Sequence, residues 1–106
     1  MAPGKAASQA GHAFLDTFLL SQQCDPSRCT AYRVHRHGTK IVLAADCDRI
    51  LHAFRRALHQ GLPAVLVVDE GCPDFFDGKP TLTALGAGPL TRTEAAKLFR
   101  NVPLLR

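Results

Sequence analysis

The sequence predicts an α/β domain of three layers, with helices on both faces of a small mixed sheet. Segments whose apolar residues recur at helical spacing alternate along the chain with short, continuous apolar runs that are typical of buried strands. Clusters of Gly, Pro and Asp separate these segments and mark the turns between them. A chain of 106 residues can build one hydrophobic core, so we expect one domain over residues 1–106.

The expected order is helix, strand, helix, strand, strand, helix. Residues 4–22 are placed in the first helix because their apolar residues form a stripe at helical spacing. Residues 24–29 are expected to form a loop. A largely apolar run at 39–45 predicts a strand covered on both faces. The stripe on the first helix consists of Ala6, Ala10, Phe14, Leu15, Phe18 and Leu19.

Boundary signals are clearer in the second half of the chain. Asp46 or Asp48 is a suitable cap for the second helix, and Gly61 is a suitable residue to end it. The remaining elements are strands at 63–68 and 81–85, separated by a loop, and a last helix that begins at the capping box Thr91-Arg-Thr-Glu94 and ends before Pro103.

The net charge of +4 and the pI near 9.2 come from basic residues that are bunched along the chain. Such bunching favours an anionic partner, and nucleic-acid phosphate is the commonest one. A basic surface without a specific partner is the alternative. Six Phe and one Tyr are few for a platform that stacks single-stranded bases, so backbone recognition fits better. The main cluster consists of Arg28, Arg33, Arg36 and Lys40, with His35 and His37 between them.

Several protein classes are excluded or disfavoured. No apolar stretch approaches the roughly 20 residues of a membrane span. We expect no secretory signal, because a charged start followed by an apolar block is absent, and therefore a cytoplasmic location. Free thiols are expected at the four cysteines, which are Cys24, Cys29, Cys47 and Cys72. The spacing of Cys24 and Cys29 from His35 and His37 is wrong for a zinc knuckle, so we expect no metal and no cofactor.

Three polar side chains stand out at the start of the first helix. Lys5, Gln9 and His12 are spaced by four and three residues, which brings them onto roughly one helical face. The alanines and glycines around them have short side chains or none, so a ligand or another backbone can approach this face closely. The alternative is a surface helix with a scattered polar face.

Four segments in a fixed order carry a family resemblance. The first is Met1-Ala-Pro-Gly-Lys5 with the helix start Ala7-Ser-Gln9-Ala-Gly-His12-Ala13 after it, and the second is Gly38-Thr-Lys-Ile-Val-Leu-Ala44. The third runs from Asp46 to Gly71 and ends in the Asp-x-Gly of Asp69-Glu-Gly71. The fourth is Thr81-Leu-Thr-Ala-Leu-Gly86-Ala-Gly88-Pro89. In this order the segments resemble the second, archaeal and eukaryotic, family of peptidyl-tRNA hydrolases over essentially the whole chain.

In that family a strand precedes the opening loop, so the resemblance implies that the first strand of the family fold is missing from this chain. An N-terminal extension of the natural protein is one interpretation. If the chain is complete, a neighbouring chain can fill the unpaired sheet position, which leaves a homodimer open.

The implied reaction is hydrolysis of the ester that joins a peptide to the 3′ ribose of tRNA. The resemblance implies that Lys5 is the cation for the oxyanion or the terminal phosphate, and that Asp69 orients the attacking water. We expect the two to share one cleft, with His12 as a further catalytic residue. The expected substrate-binding residues are Gln9, Gly71, Arg33, Arg36 and Lys40.

One departure from the family pattern concerns the loop after Asp69. The family carries a threonine shortly after Asp-x-Gly, whereas this sequence has Pro73, which offers neither a hydroxyl nor an amide hydrogen. The alternative function is therefore a catalytically impaired relative that binds RNA or another protein. An unrelated esterase of small molecules is a third possibility.

Overall fold

A computed structural model describes residues 3–34, 39–69 and 81–105 of the chain. The described part contains four helices and two strands. In chain order they are α1 (Pro3–Cys24), α2 (Pro26–Arg33), α3 (Cys47–His59), β1 (Ala64–Asp69), β2 (Thr81–Ala87) and α4 (Arg92–Phe99). Within these residues, no helix combines the length and the apolar character that a membrane span needs.

The predicted α/β class and its three layers are confirmed. Strand β2 shows the layering, because Gly86 faces α1 whereas Leu85 and Ala87 pack on the opposite side against the core. That core is formed mainly by α3, β1 and α4, and its buried members are Ala57, Leu62, Ala64 and Leu98. In the described part of the chain, β1 and β2 form an antiparallel pair rather than the mixed sheet expected.

Helix α1 lies very close to the sheet, and this closeness determines which of its faces is buried. A Cβ atom at Gly86 would overlap with the Thr17 hydroxyl and the Ala13 carbonyl. Only small or slender side chains fit at such a separation. The apolar stripe predicted for this helix is only partly covered: Leu15 and Leu19 are 60% and 49% exposed, whereas its other four members are half-buried. The buried line is instead Gln9, Ala13, Thr17 and Ser21.

Two further predictions from the sequence are corrected. Residues 24–29 do not form a loop throughout, because α2 begins at Pro26 with the Asp25 side chain as its N-cap. The strand predicted at 39–45 is reduced to an isolated bridge between Leu43 and Leu104. A strand exists only through its hydrogen-bonded partner, and this segment pairs with the short run at 103–105 instead of the edge of the β1–β2 sheet.

The helix boundaries predicted for the second half of the chain are confirmed. Asp46 caps α3 through its side chain, and Gly61 follows the helix with a φ of +71°, a conformation that favours glycine. Helix α4 begins at a complete capping box, in which the side chains of Thr91 and Glu94 each accept a hydrogen bond from the other residue's backbone amide. Cys24, Cys29 and Cys47 are free thiols.

Candidate active site

The first turn of α1 and the end of β1 meet at one ion pair. Lys5 Nζ donates a hydrogen bond of 2.7 Å to Asp69 Oδ2, across 64 residues of sequence. The two side chains are only 15% and 10% exposed. This contact follows from the fold, because α1 packs across the sheet and its N-terminus lies beside the C-terminal end of β1, where Asp69 is located.

A second layer of polar contacts stands behind this pair. Gln9 lies one helical turn after Lys5 and is 4% exposed, and its Nε2 is 3.4 Å from the same Asp69 Oδ2. Thr83 of β2 places its hydroxyl oxygen 2.9 Å from Gln9 Oε1 and 3.2 Å from the Val67 carbonyl oxygen. Asp69 Oδ2 thus faces two donors from α1, and one of these donors is itself held by the sheet.

This arrangement supplies two groups that ester hydrolysis needs. A carboxylate can orient a water molecule and accept its proton, and an ammonium can stabilise the oxyanion that develops when the water attacks. Partial burial strengthens both effects, because charges interact more strongly where water is scarce. The N-terminal end of α1, which is the positive end of the helix dipole, adds a further preference for negative charge beside Lys5.

The other residues predicted for the site lie elsewhere in the structure or outside the described residues. His12 lies on α1 about 10 Å along the helix from Lys5, at about 1.5 Å per residue, and its side chain is exposed. Arg36 and Gly71 lie outside the described residues, as does the loop that carries Pro73. Their expected roles therefore stay predictions.

The two predicted RNA contacts that the structure describes lie near the opposite end of α1. Arg33 lines an open groove with Phe18 and other residues of α1 and α2. Lys40 Nζ is 5.6 Å from the centre of the Tyr32 ring, a cation–π distance, and that ring packs against Phe18. Phe18 is about 20 Å along α1 from Lys5 at about 1.5 Å per residue. Arg33 and Lys40 therefore form a basic surface that is separate from the ion pair.

Arg28, which belongs to the basic cluster in the sequence, has a structural role. Its guanidinium donates to the Pro89 carbonyl at 2.7 Å and to both carboxylate oxygens of Glu94 at 2.6 and 3.1 Å. It thereby ties α2 to the turn after β2 and to α4. These hydrogen bonds from Arg28 lower the pKa of Glu94 to about 2.

Thr83 is the member of the cluster that sequence reasoning missed. Strict alternation along β2 would put its side chain on the face of Leu85 and Ala87, away from α1. An irregularity in the pairing of the two strands changes its direction, and no pattern in the sequence marks that irregularity. Over the described residues, no group of three or more His, Cys, Asp or Glu side chains is arranged to hold a metal ion.

Comparison with known proteins agrees with the resemblance seen in the motifs. The family model described as Peptidyl-tRNA hydrolase PTH2 matches residues 1–105. The chain belongs to this family. It is 34% identical over 106 residues to a peptidyl-tRNA hydrolase of Methanococcus vannielii, covering 99% of this chain and 89% of the relative. A peptidyl-tRNA hydrolase of Methanopyrus kandleri is 34% identical over 105 residues, covering 97% and 86% of the two chains. One of Pyrobaculum aerophilum is 35% identical over 88 residues, covering 81% and 73%.

Proposed function

We propose that this protein hydrolyses the ester bond of peptidyl-tRNA and releases the peptide and free tRNA. The observation that carries the proposal is the buried contact between Lys5 and Asp69, in a chain that belongs to the PTH2 family. Neither the geometry of this site nor the relatives favour the alternative of an impaired RNA- or protein-binding module. We expect the enzyme to act in the cytoplasm, on substrate left by translation.

The proposed step is attack by water on the carbonyl carbon of the ester. Asp69 orients the water and accepts its proton as the new carbon–oxygen bond forms. The Lys5 ammonium stabilises the negative charge on the carbonyl oxygen, and collapse of this intermediate expels the 3′ oxygen of the ribose, which takes up a proton. The Gln9 side-chain amide donates to Asp69 Oδ2 and helps to hold that carboxylate in place. As the family resemblance implies, we expect His12, which is exposed on α1, to be a further catalytic residue and Gly71, which follows Asp69 closely in sequence, to bind the substrate.

Isosteric variants test the two central roles. Lys5→Met and Asp69→Asn should each lower kcat by about 100-fold or more, which is the scale of losing one contact to the transition state. Lys97→Met and Asp16→Asn make the same chemical changes at exposed positions and should leave turnover within about twofold of wild type, as surface changes usually do. Thermal unfolding of each variant checks that it is folded at the assay temperature, since breaking a partly buried ion pair also costs stability.

The outcomes separate the functions that the sequence leaves open. Wild-type protein that binds tRNA in a salt-sensitive manner but does not cleave peptidyl-tRNA would contradict the proposal and favour the binding module. Activity on simple esters that is indifferent to tRNA would indicate an esterase of small molecules.

The basic surface at the far end of α1 is the proposed contact for tRNA phosphates. Arg33 and Lys40 are both exposed, and Arg36 lies between them in sequence. Replacing Arg33 and Lys40 with alanine should raise KM and leave kcat near the wild-type value. The slope of the logarithm of the tRNA binding constant against the logarithm of the salt concentration should become shallower by about one for each charge lost. Arg55→Ala removes an exposed charge on α3 and serves as the control. An unchanged salt slope in the double variant would contradict this assignment.

We further propose that the chain forms a homodimer through an outer edge of its sheet. Strands β1 and β2 pair with each other, and within the described residues neither has a second neighbour in the sheet. Unpaired strand edges attract other strands, and Val68 on β1 is 46% exposed. Sedimentation velocity over a wide range of protein concentration tests this: a dimer that dissociates on dilution is expected, and a monomer throughout would contradict it.

A further inference from the structure

Thr83 occupies an irregular position in the sheet. Val67 pairs with Ala84 and Val68 pairs with Leu82, so Thr83 is an extra residue on β2 that has no partner across the ladder. This is the geometry of a β-bulge, in which an inserted residue interrupts the pairing and redirects a side chain. The pairing resumes with Val68 opposite Leu82 and ends with Asp69 opposite Thr81, which places the bulge between the carboxylate and the rest of the sheet.

The bulge turns Thr83 from one face of the sheet to the other. Leu85 and Ala87 face the core on the α3 side, and strict alternation would send Thr83 in the same direction. Its hydroxyl instead lies 2.9 Å from Gln9 Oε1, on the α1 side. Thr83 therefore lacks a pairing partner on β1, and its side chain contacts Gln9 instead.

This contact decides which way the Gln9 amide points. A carboxylate can only accept hydrogen bonds, so the Nε2 end of the amide must face Asp69 and the Oε1 end must face a donor. The Thr83 hydroxyl is that donor: its single proton has two acceptors within reach, Gln9 Oε1 at 2.9 Å and the Val67 carbonyl oxygen at 3.2 Å, and Gln9 Oε1 is the nearer. Because Gln9 is 4% exposed, water has little access to replace the hydroxyl.

We propose that Thr83 is a positioning residue for hydrolysis: through the Gln9 amide it holds Asp69 at the orientation in which Asp69 directs the attacking water. The inference rests on the proposed function and deepens it. It differs from a role in folding, because the contact runs to the polar cluster and not to the apolar core.

The amide of Gln9 reports the contact directly, whether or not the protein is active. In the full-length protein, the side-chain amide resonances of Gln9 are assigned by their loss in Gln9→Leu. The exposed Gln22 and Gln60 serve as internal controls. Thr83→Val keeps the shape of the side chain and removes the hydroxyl, and it should move the Gln9 amide resonances toward those of the two exposed glutamines. Thr83→Ser keeps the hydroxyl and should leave them near the wild-type position. Unchanged Gln9 resonances in Thr83→Val would overturn the inference.

Turnover of peptidyl-tRNA then tests the consequence. Thr83→Val should lower kcat about tenfold, the scale of one hydrogen bond, with KM within about twofold of wild type. Thr83→Ser should restore most of the loss. In the Gln9→Leu background, Thr83→Val should have no further effect, because the residue through which it acts is absent. Wild-type turnover in Thr83→Val, or equal losses in both backgrounds, would overturn the positioning role. A wild-type protein without any turnover would instead overturn the proposed function, and the amide resonances would still decide whether Thr83 holds Gln9.

Discussion

The contact between α1 and Gly86 is the feature whose perturbation should be most informative, because α1 carries Lys5 and Gln9 while Asp69 lies on the sheet. In Gly86→Ala, the new Cβ would lie closer than 3.0 Å to two groups on α1, the Thr17 hydroxyl and the Ala13 carbonyl. The hydroxyl belongs to a side chain, but the carbonyl is part of the helix backbone and cannot move alone. The whole helix must therefore retreat from the sheet.

The cost follows from this geometry. Overpacking a tight interface typically costs about 1–3 kcal/mol, and the upper part of that range applies because a backbone group is involved. For a domain of this size a loss of about 2–3 kcal/mol corresponds to a fall in Tm of about 10–20 °C. Retreat of the helix also lengthens the 2.7 Å contact between Lys5 and Asp69. Turnover should therefore fall about tenfold or more even where the variant is folded, since small displacements of reacting groups are costly.

Thermal unfolding and turnover at a temperature well below Tm measure the two effects separately. Gly11→Ala is the matched control, because Gly11 lies on the exposed side of α1 with no atom within 4 Å of an added Cβ. It should stabilise the protein by about 0.5–1 kcal/mol through helix propensity alone. Adding Thr17→Ala to Gly86→Ala removes one of the two overlaps and should recover part of the stability. Gly86→Ala with the Tm and turnover of wild type would refute the close packing of α1 on β2.

Three further predictions concern stability. Because Arg28 lowers the pKa of Glu94 from 4.5 to about 2, their pair contributes stability that is present above about pH 4.5 and is lost as the pH falls through 2. Acid titration of the unfolding free energy should show a loss of about 1–3 kcal/mol over this window that Glu94→Gln abolishes, and the same acid dependence in Glu94→Gln would contradict the assignment. Ser21→Ala should cost about 1–3 kcal/mol in chemical denaturation, because the buried Ser21 hydroxyl donates to the Gly88 carbonyl at 2.7 Å and would leave it without that donor. Thr91→Ala should cost about 1 kcal/mol through loss of the capping box, and a Tm equal to that of wild type would show that the cap contributes nothing.

What the sequence could predict is what depends on local chemistry. The caps at Asp46 and Thr91 were predicted because a capping side chain bonds to backbone only a few residues away. The pair of Lys5 and Asp69 was expected from the family motifs, which carry long-range information that composition and periodicity do not. The apolar stripe of α1 does not indicate which residues are fully buried, because the distance between helix and sheet, and not hydrophobicity, selects the side chains there.

Two other features escaped prediction for a related reason. The apolar run at 39–45 has the composition of a strand, but its pairing depends on residues 103–105, about 60 positions later in the chain. Thr83 enters the site through a bulge, which is a property of two strands in register and leaves no mark on either one alone. Only α2 had an overlooked local signal, because Asp25-Pro26 is an N-cap followed by proline at the first helical position.

The most direct test of the central claim is a double-mutant cycle on peptidyl-tRNA hydrolysis with Lys5→Met, Asp69→Asn and the combined variant, all checked for folding. If the ammonium and the carboxylate act on the same ester as one unit, each single variant should lose about 100-fold or more in kcat, and the combined variant should be little slower than the worse single one. Turnover within about threefold of wild type in either folded single variant would contradict the account, because an effect that small is far below the loss of one contact to the transition state.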